Sequence, residues 1–339
     1  MQRWSGSSDV PAGFGPSVVT IGNFDGVHRG HQAVLARLVA RARERGVPAV
    51  AITFHPHPLA VLDPDRAPAR LTTLDHRLDL LARAGLDGVL VMEFTPELAA
   101  LSPRDFVRGT LVDLLGATHV VVGPDTRFGR RNSGDVGTMR ELGSEFGFGV
   151  EVQEDLGEPD ADRHAERRWS STWVRELLAD GDVTMAGQVL GRPHRVTGVV
   201  VHGDHRGRQL GFPTANLSSD AVGLAPRDGV YAGWLLRLGP GAGSGAAGSA
   251  GDPGSTVGVR MPAAISIGTN PTFDGLARRV EAYVLDRDDL DLYGETVAVE
   301  FVRMLRPTLR FDGVDALIRQ MKTDVEQCHQ VLAAEGATP

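Results

Sequence analysis

At 339 residues the chain is long enough for two or three domains, taking about 100–200 residues for each, and 42% hydrophobic with 23% charged residues is an ordinary globular composition, not that of a disordered chain. One cysteine, Cys328, excludes a disulfide framework and a cysteine-rich zinc module, and argues against a secreted origin. A net charge of −8 argues against a general nucleic-acid or membrane-surface binder, but leaves room for a local basic pocket.

Residues 1–16 are rich in Ser, Gly and Pro and read as a loose tail, not a signal peptide. Strand-like and helix-like patterns then alternate. Residues 17–22 form a short β-branched run. Residues 30–45 place Val34, Leu35, Leu38, Val39 and Ala42 on one helical face, with Gly46 at the stop. A strand over 48–54, a helix over 75–84 and a strand over 88–92 follow. Ser102 caps a helix with Pro103 at its first position, expected to run to near Gly116. Next come a strand over 118–123, a helix over 136–146 and a strand over 148–153. This alternation predicts an α/β domain with a Rossmann-like parallel sheet. Helices over 170–178 and 183–190 complete the first domain, 17–190. Beyond Pro193 the pattern turns β-rich, with strand-like segments at 195–202, 231–238, 263–267, 279–285 and 296–305. An amphipathic helix over 313–334 closes the chain. The second domain, 191–339, therefore reads as a small antiparallel β-barrel with a C-terminal helix. Residues 239–258, low in complexity and rich in Gly, Ala and Ser, read as a flexible inserted loop. The sequence holds no apolar run long enough to span a membrane, so a cytoplasmic protein is expected.

The sharpest local signal is Gly22-Asn23-Phe24-Asp25-Gly26-Val27-His28-Arg29-Gly30-His31, which joins the first strand to the first helix. Ligands of open parallel sheets sit outside the C-terminal strand ends. The helix start offers free N–H groups to an anion, and the glycines let a phosphate approach the backbone. Two imidazoles three residues apart can reach one anion, and near their usual pKa they can gain a proton when it arrives. Lys322 is the only lysine and lies in no phosphate loop, so a Walker-type nucleotide site is excluded. Spacing alone leaves other readings open: a metal pair lacking its further ligands, surface histidines at a helix start, or glycines that serve only a turn.

This string resembles the H-x-G-H signature of the nucleotidylyltransferase superfamily, and in its extended form, G-N-F-D-G-V-H-x-G-H, it resembles the bacterial bifunctional FAD synthetases, which are riboflavin kinase/FMN adenylyltransferases. The strings Thr53-Phe54-His55-Pro56-His57-Pro58, Val122-Gly123-Pro124-Asp125-Thr126-Arg127-Phe128-Gly129, Asn132-Ser133-Gly134-Asp135 and Ser170-Ser171-Thr172-Trp173-Val174-Arg175 agree in order and place. The resemblance implies ATP and phosphate binding at Gly22, Asn23, Phe24, Asp25, Gly26, His28 and His31, with Ser171, Thr172 and Arg175 as a second phosphate clamp. It places His57, Pro58, Asp125 and Arg127 in a flavin or nucleotide pocket. From the residues alone, Ser171 could be a plain helix cap, and His57 part of the loop structure. Thr126 departs from the family pattern, standing where an aromatic is common.

Gly207-Arg208-Gln209-Leu210-Gly211-Phe212-Pro213-Thr214-Ala215-Asn216 resembles the riboflavin kinase motif of the same family, and the likeness continues through Asp228–Ala232, Ile267–Phe273, Val280–Tyr283 and Asp291–Gly294. Thr214 and Asn216, two apart in an extended segment, share a face and offer hard oxygens. The resemblance makes them the Mg²⁺ ligands. It places Gly207, Arg208, Gly211, Phe212, Pro213, Thr214 and Asn216 at the kinase site, and casts Glu281 as the base. Read without it, Glu281 beside Arg279 is an acid in an ion pair. Tyr283 stands where the family often has His. The implied activity is phosphorylation of riboflavin to FMN with ATP, then adenylylation of FMN to FAD, with ATP and flavins as small-molecule partners. An enzyme with one live half and a non-catalytic flavin-binding protein on the same scaffold remain as rivals. The sequence leaves the oligomeric state, a homo-oligomer included, undetermined.

Overall fold

A computed structural model describes residues 1–154, 157–160, 165–203, 211–239, 258–272 and 275–336. They form two compact units: Met1–Pro68 with His76–Ser170, and Ala69–Asp75 with Ser171–Pro339.

The first unit is built on six strands: β1 (Gln2–Trp4), β2 (Ser17–Ile21), β3 (Ala49–His55), β4 (Gly88–Glu93), β5 (Ala117–Val122) and β6 (Gly149–Val152). Their order is β1-β4-β3-β2-β5-β6 and every pairing is parallel. Buried on both faces, β2 and the first part of β3 read as apolar runs without alternation. Helices α1 (Arg29–Arg45), α2 (Pro58–Leu62), α3 (Leu74–Arg83), α4 (Pro96–Ala100), α5 (Pro103–Phe106) and α6 (Val136–Phe146) connect them. Strand order reverses between β2 and β5, so the loop after β2 opens at the switch point of the sheet. That loop carries the Gly22–His31 string.

Two sequence expectations change, and one element is added. The helix expected from Ser102 to Gly116 is α-helical only through Phe106. It then widens into a π-helical stretch, Val107–Leu114, in which Leu115 N–H donates to Thr110 O at 3.2 Å. Val107, Leu111 and Leu115, spaced by four, are all buried against the sheet there. Residues 1–16 are not a loose tail. Gln2–Trp4 add a parallel edge strand to β4, Trp4 meets the Phe14 ring at 4.9 Å, and Val10 joins the core. The anchor is the Trp4 indole, which sits where a Cβ on Gly88 would come within 2.7 Å of it. Finally, an antiparallel hairpin, β7 (Gly157–Asp160) with β8 (Ala165–Arg168), lies in a stretch whose charged sequence shows no alternation.

The second unit opens with α7 (Ser171–Asp180) and α8 (Val183–Leu190), which the sequence reading groups with the first domain. Strands β9 (His194–Val201), β10 (Ala215–Leu217), β11 (Gly229–Gly239), β12 (Arg260–Thr272), β13 (Gly275–Val284) and β14 (Thr296–Pro307) close an antiparallel barrel in the order β10-β13-β12-β11-β14-β9. Tyr231, Phe301, Ile265 and Leu235 are buried completely in this unit. Helix α9 (Val314–Gly336) docks through Cys328 and Leu332 onto Ala232, Leu285 and Val302. It is tied by the buried Asp324, which accepts from Arg306 at 2.7 Å and from Gln320 at 2.9 Å. Burial pushes the Cys328 thiol up to about 12, so it packs as an apolar group and not as a nucleophile. Residues 240–257, most of the Gly-rich stretch, lie outside the described residues.

Trp4→Ala is expected to destabilise the first unit by about 3 kcal/mol, as for a buried aromatic. The urea midpoint measures this, and a loose N-terminus would leave it unmoved.

Candidate functional sites in the two units

The loop after β2 is held in a backbone shape that few residues adopt. Phe24 and Val27 have φ of 49° and 41°, and Gly26 has 82°. A left-handed valine costs energy and persists only where its surroundings fix it. Those surroundings are visible. Phe24 and Val27 are 2% exposed. The Phe24 ring lies where a Cβ on Gly22 would meet it at 2.9 Å, and Gln32 Nε2 donates to Val27 O at 2.8 Å. The Asn23 carbonyl accepts from Thr53 Oγ1 at 3.1 Å and from Arg77 Nη1 at 2.6 Å.

This loop delivers His28 as the N-cap of α1, its Nδ1 accepting from His31 N–H at 3.4 Å. The two imidazoles stack with centroids 3.6 Å apart, and Phe24 meets His31 edge-on at 5.2 Å. A Cβ at position 30 would press on His28 Nδ1 and on the Trp169 carbonyl at 3.1 Å, which explains the glycine between the histidines. Arg29 lies over the Trp169 ring at 5.6 Å. His28 and Asp25 are buried and His31 is half-buried, with its Nδ1 shut off from solvent and without a partner among the described residues. Burial, then the adjoining His28 and Arg77, holds the His31 imidazole well below the ordinary histidine range. This corrects the expectation of an imidazole near its usual pKa: a ring stacked on a second histidine beside a buried guanidinium stays neutral.

The other expected residues of this unit are more open. His57 caps α2, accepting from Leu59 N–H at 3.2 Å, with Pro58 at the first helical position. Asp125, in the loop after β5, pairs with Arg168 at 2.7 Å. Arg127 donates to the Thr126 carbonyl at 3.2 Å.

In the second unit α7 begins at Ser171, so Ser171 and Thr172 occupy its first turn and Ser170 takes the cap position. Arg175 Nε donates to the Ala69 carbonyl at 2.8 Å. On the barrel, β10 pairs with β13 so that Asn216 lies directly opposite Glu281. Their neighbours Ala215, Val280 and Ala282 are buried, whereas Asn216 and Glu281 stand half-buried on the other face. Asn216 Nδ2 donates to Thr214 O at 3.3 Å and to Thr214 Oγ1 at 3.4 Å. Gly203, where a Cβ would come within 2.7 Å of the Asn216 amide, lets the chain cross over it. Tyr283, two residues beyond Glu281 on the same face, meets Phe212 edge-on at 5.3 Å. Burial, then the charges of Asp286 and Asp288, keeps its phenol protonated well into the alkaline range. Pro213 and Gly211 precede Thr214 in the same segment, Gly211 with φ of 85°. Gly207 and Arg208 lie outside the described residues.

No three His, Cys, Asp or Glu side chains gather as a metal site among the described residues. The Thr214 hydroxyl and the Asn216 amide, with Glu281 across the strands, are hard oxygen donors. They suit a cation that keeps water and phosphate among its ligands. Sequence reasoning missed Arg77, whose position in an amphipathic helix gave no sign that it reaches the strand ends.

Residues 12–166 match the FAD synthetase family and residues 190–332 the riboflavin kinase family. Over 307 residues the chain is 38% identical to the bifunctional riboflavin kinase/FMN adenylyltransferase of Escherichia coli strain K12, covering 91% of this chain and 90% of that protein. The enzyme of the same name from Pseudomonas fluorescens is 39% identical over 321 residues, covering 94% of both chains. A crystal structure described as a macrolide-efflux protein from Streptococcus pneumoniae superposes with a TM-score of 0.80 at 30% identity, covering 96% of this chain and 98% of that one. Efflux is that protein's description. Here, among the described residues, no helix is long and apolar enough to cross a membrane.

In a pH titration followed by NMR, the His31 ring is expected to stay neutral to well below pH 6.5. Titration in the ordinary imidazole range would remove the neutral-ring assignment.

Proposed function

The chain belongs to the bifunctional riboflavin kinase/FMN adenylyltransferase family, and we propose a division of labour in which residues 17–190 carry adenylyl transfer and residues 191–339 the kinase reaction. It is a riboflavin kinase and an FMN adenylyltransferase, using ATP to make FMN and then FAD. The observation that carries the division is the separation of the two constellations. The stacked His28–His31 pair lies in one compact unit, and the Asn216–Glu281 cross-strand pair in the other.

In the kinase reaction Glu281 takes the proton of the ribityl 5′-hydroxyl as that oxygen attacks the γ-phosphorus of ATP, and ADP departs. Thr214 and Asn216 would hold Mg²⁺, which when bound neutralises charge on the triphosphate. Gly211, Phe212 and Pro213, with Gly207 and Arg208, shape the nucleotide and flavin side of that site. In the second reaction the phosphate of FMN is itself the nucleophile, so no covalent protein residue is needed. An oxygen of that phosphate attacks the α-phosphorus of a second ATP, and pyrophosphate leaves. The chain's part is alignment and electrostatics. Backbone amides of the Asn23–Gly26 loop and the start of α1 receive the phosphates. His28 and His31 stabilise the charge that spreads over their oxygens. His57, Pro58, Asp125 and Arg127 line the flavin or nucleotide pocket. His31, neutral without ligand, is poised to take up a proton as the anion arrives. The buried thiol and the small-molecule chemistry fit a cytoplasmic enzyme.

A chromatographic time course of riboflavin, FMN and FAD with Mg-ATP tests this reading. Glu281→Ala is expected to abolish FMN formation while FAD still forms from supplied FMN. His28→Ala combined with His31→Ala is expected to do the reverse, with a loss on the order of 10²-fold or more in FAD formation. Loss of both activities in either folded variant would overturn the division.

A further inference from the structure

Arg77 is only 7% exposed, an unusual place for a guanidinium. It stands on α3, remote in sequence from the Gly22–His31 string. Its Nη1 donates to Asn23 O at 2.6 Å and its Nη2 to Phe54 O at 3.2 Å. Those carbonyls lie at the C-terminal ends of the neighbouring parallel strands β2 and β3, where strand-end carbonyls present negative partial charge. One planar group thus ties the two strand ends that border the site, a task for a rigid fork and not for a point charge. Asn23 immediately precedes left-handed Phe24, so the anchored carbonyl sits where the strained backbone begins. From there the chain runs through Val27 to the capping His28. The groups whose charge bears on His31 are His28 on its own helix and Arg77 on α3.

We propose that Arg77 is a positioning residue for adenylyl transfer. It fixes the Asn23–His28 loop by bridging the ends of β2 and β3, and so sets the placement of the two histidines. It touches no reacting atom. The proposal rests on the reading of His28 and His31 as the groups that bind the phosphates in that reaction.

The test uses the full-length enzyme with Arg77→Lys and Arg77→Gln, assayed for FAD formation from FMN and Mg-ATP, with FMN formation from riboflavin as the internal control. A misplacement of about 1 Å in a preorganised site costs on the order of 10²-fold. Both variants are therefore expected to lose at least tenfold in kcat for FAD formation and to keep kinase turnover. The His31 titration followed by NMR separates positioning from mere support of the fold. It should move toward the ordinary histidine range even in Arg77→Lys, which keeps the charge, because a displaced ring loses the burial and the stacking on His28 that hold it neutral. FAD formation within twofold of the parent in both variants would overturn the proposal. So would a loss that only tracks the unfolded fraction in thermal melts, or a His31 titration unmoved in Arg77→Lys. The paired histidine variant keeps the two ideas apart. If it abolishes FAD formation while the Arg77 variants are normal, only the proposal falls; if it leaves FAD formation intact, the underlying reading falls.

Discussion

Two imidazole rings stacked 3.6 Å apart cannot both carry a charge without strong mutual repulsion. The first unit is arranged around that constraint. Its burial and its neighbouring guanidinium favour the neutral form of His31, so that ring waits uncharged. On the proposed reading, a polyanion at the first turn of α1 would reverse the balance, because its oxygens would supply the opposite charge that the rings lack. The glycine between the histidines permits the stack, and Phe24 meets the His31 ring edge-on. The left-handed turn through Phe24, Gly26 and Val27 is strain held at the site by the burial of Phe24 and Val27.

On the proposed division of labour, the second unit meets a related demand with different backbone. Where the first presents a helix start, the barrel presents the outward face of two paired strands. Phosphoryl transfer to a hydroxyl needs a proton acceptor, whereas adenylyl transfer to a phosphate does not, since that nucleophile arrives ionised. The difference is written in the residue types. A carboxylate faces the Thr-x-Asn segment in the barrel, and imidazoles stand at the helix start in the parallel sheet. The motif segments are short, but each is fixed by long-range partners: Thr53 and Arg77 on Asn23, and strand β13 on Asn216.

Much of this was legible in the sequence, because the signals were periodic or chemical. The alternating strands and helices up to residue 152, the helix face through Leu35, Leu38 and Ala42, and the β-rich pattern after Pro193 all correspond to observed elements. The N-terminal strand was not legible. Three residues are too few to show a period, and only the single large side chain of Trp4 hinted at burial. The π-helical widening after Phe106 leaves no mark, since an apolar spacing of four suits either helix. Arg77 was invisible for a different reason. Its role depends on which strand ends are neighbours, and that is a property of sheet order, not of local pattern. The neutral state of His31 was likewise hidden, because it follows from burial and from a charge forty-six positions away in the chain.

Strand β10 carries the most demanding constraint in the barrel. It has three residues, yet it pairs with β9 on one side and β13 on the other and so closes the barrel. Its alternation leaves Ala215 and Leu217 buried and Asn216 on the opposite face, across from Glu281. Because the side-chain period of a strand is two, a slip of one residue against β13 would turn Asn216 toward the apolar side and bury the amide without partners. The packing that closes the barrel and the placement of the Asn216–Glu281 pair are therefore one requirement. A mutation that loosens Ala215 or Leu217 in the interior would act on the Asn216–Glu281 pair through register, without touching either residue.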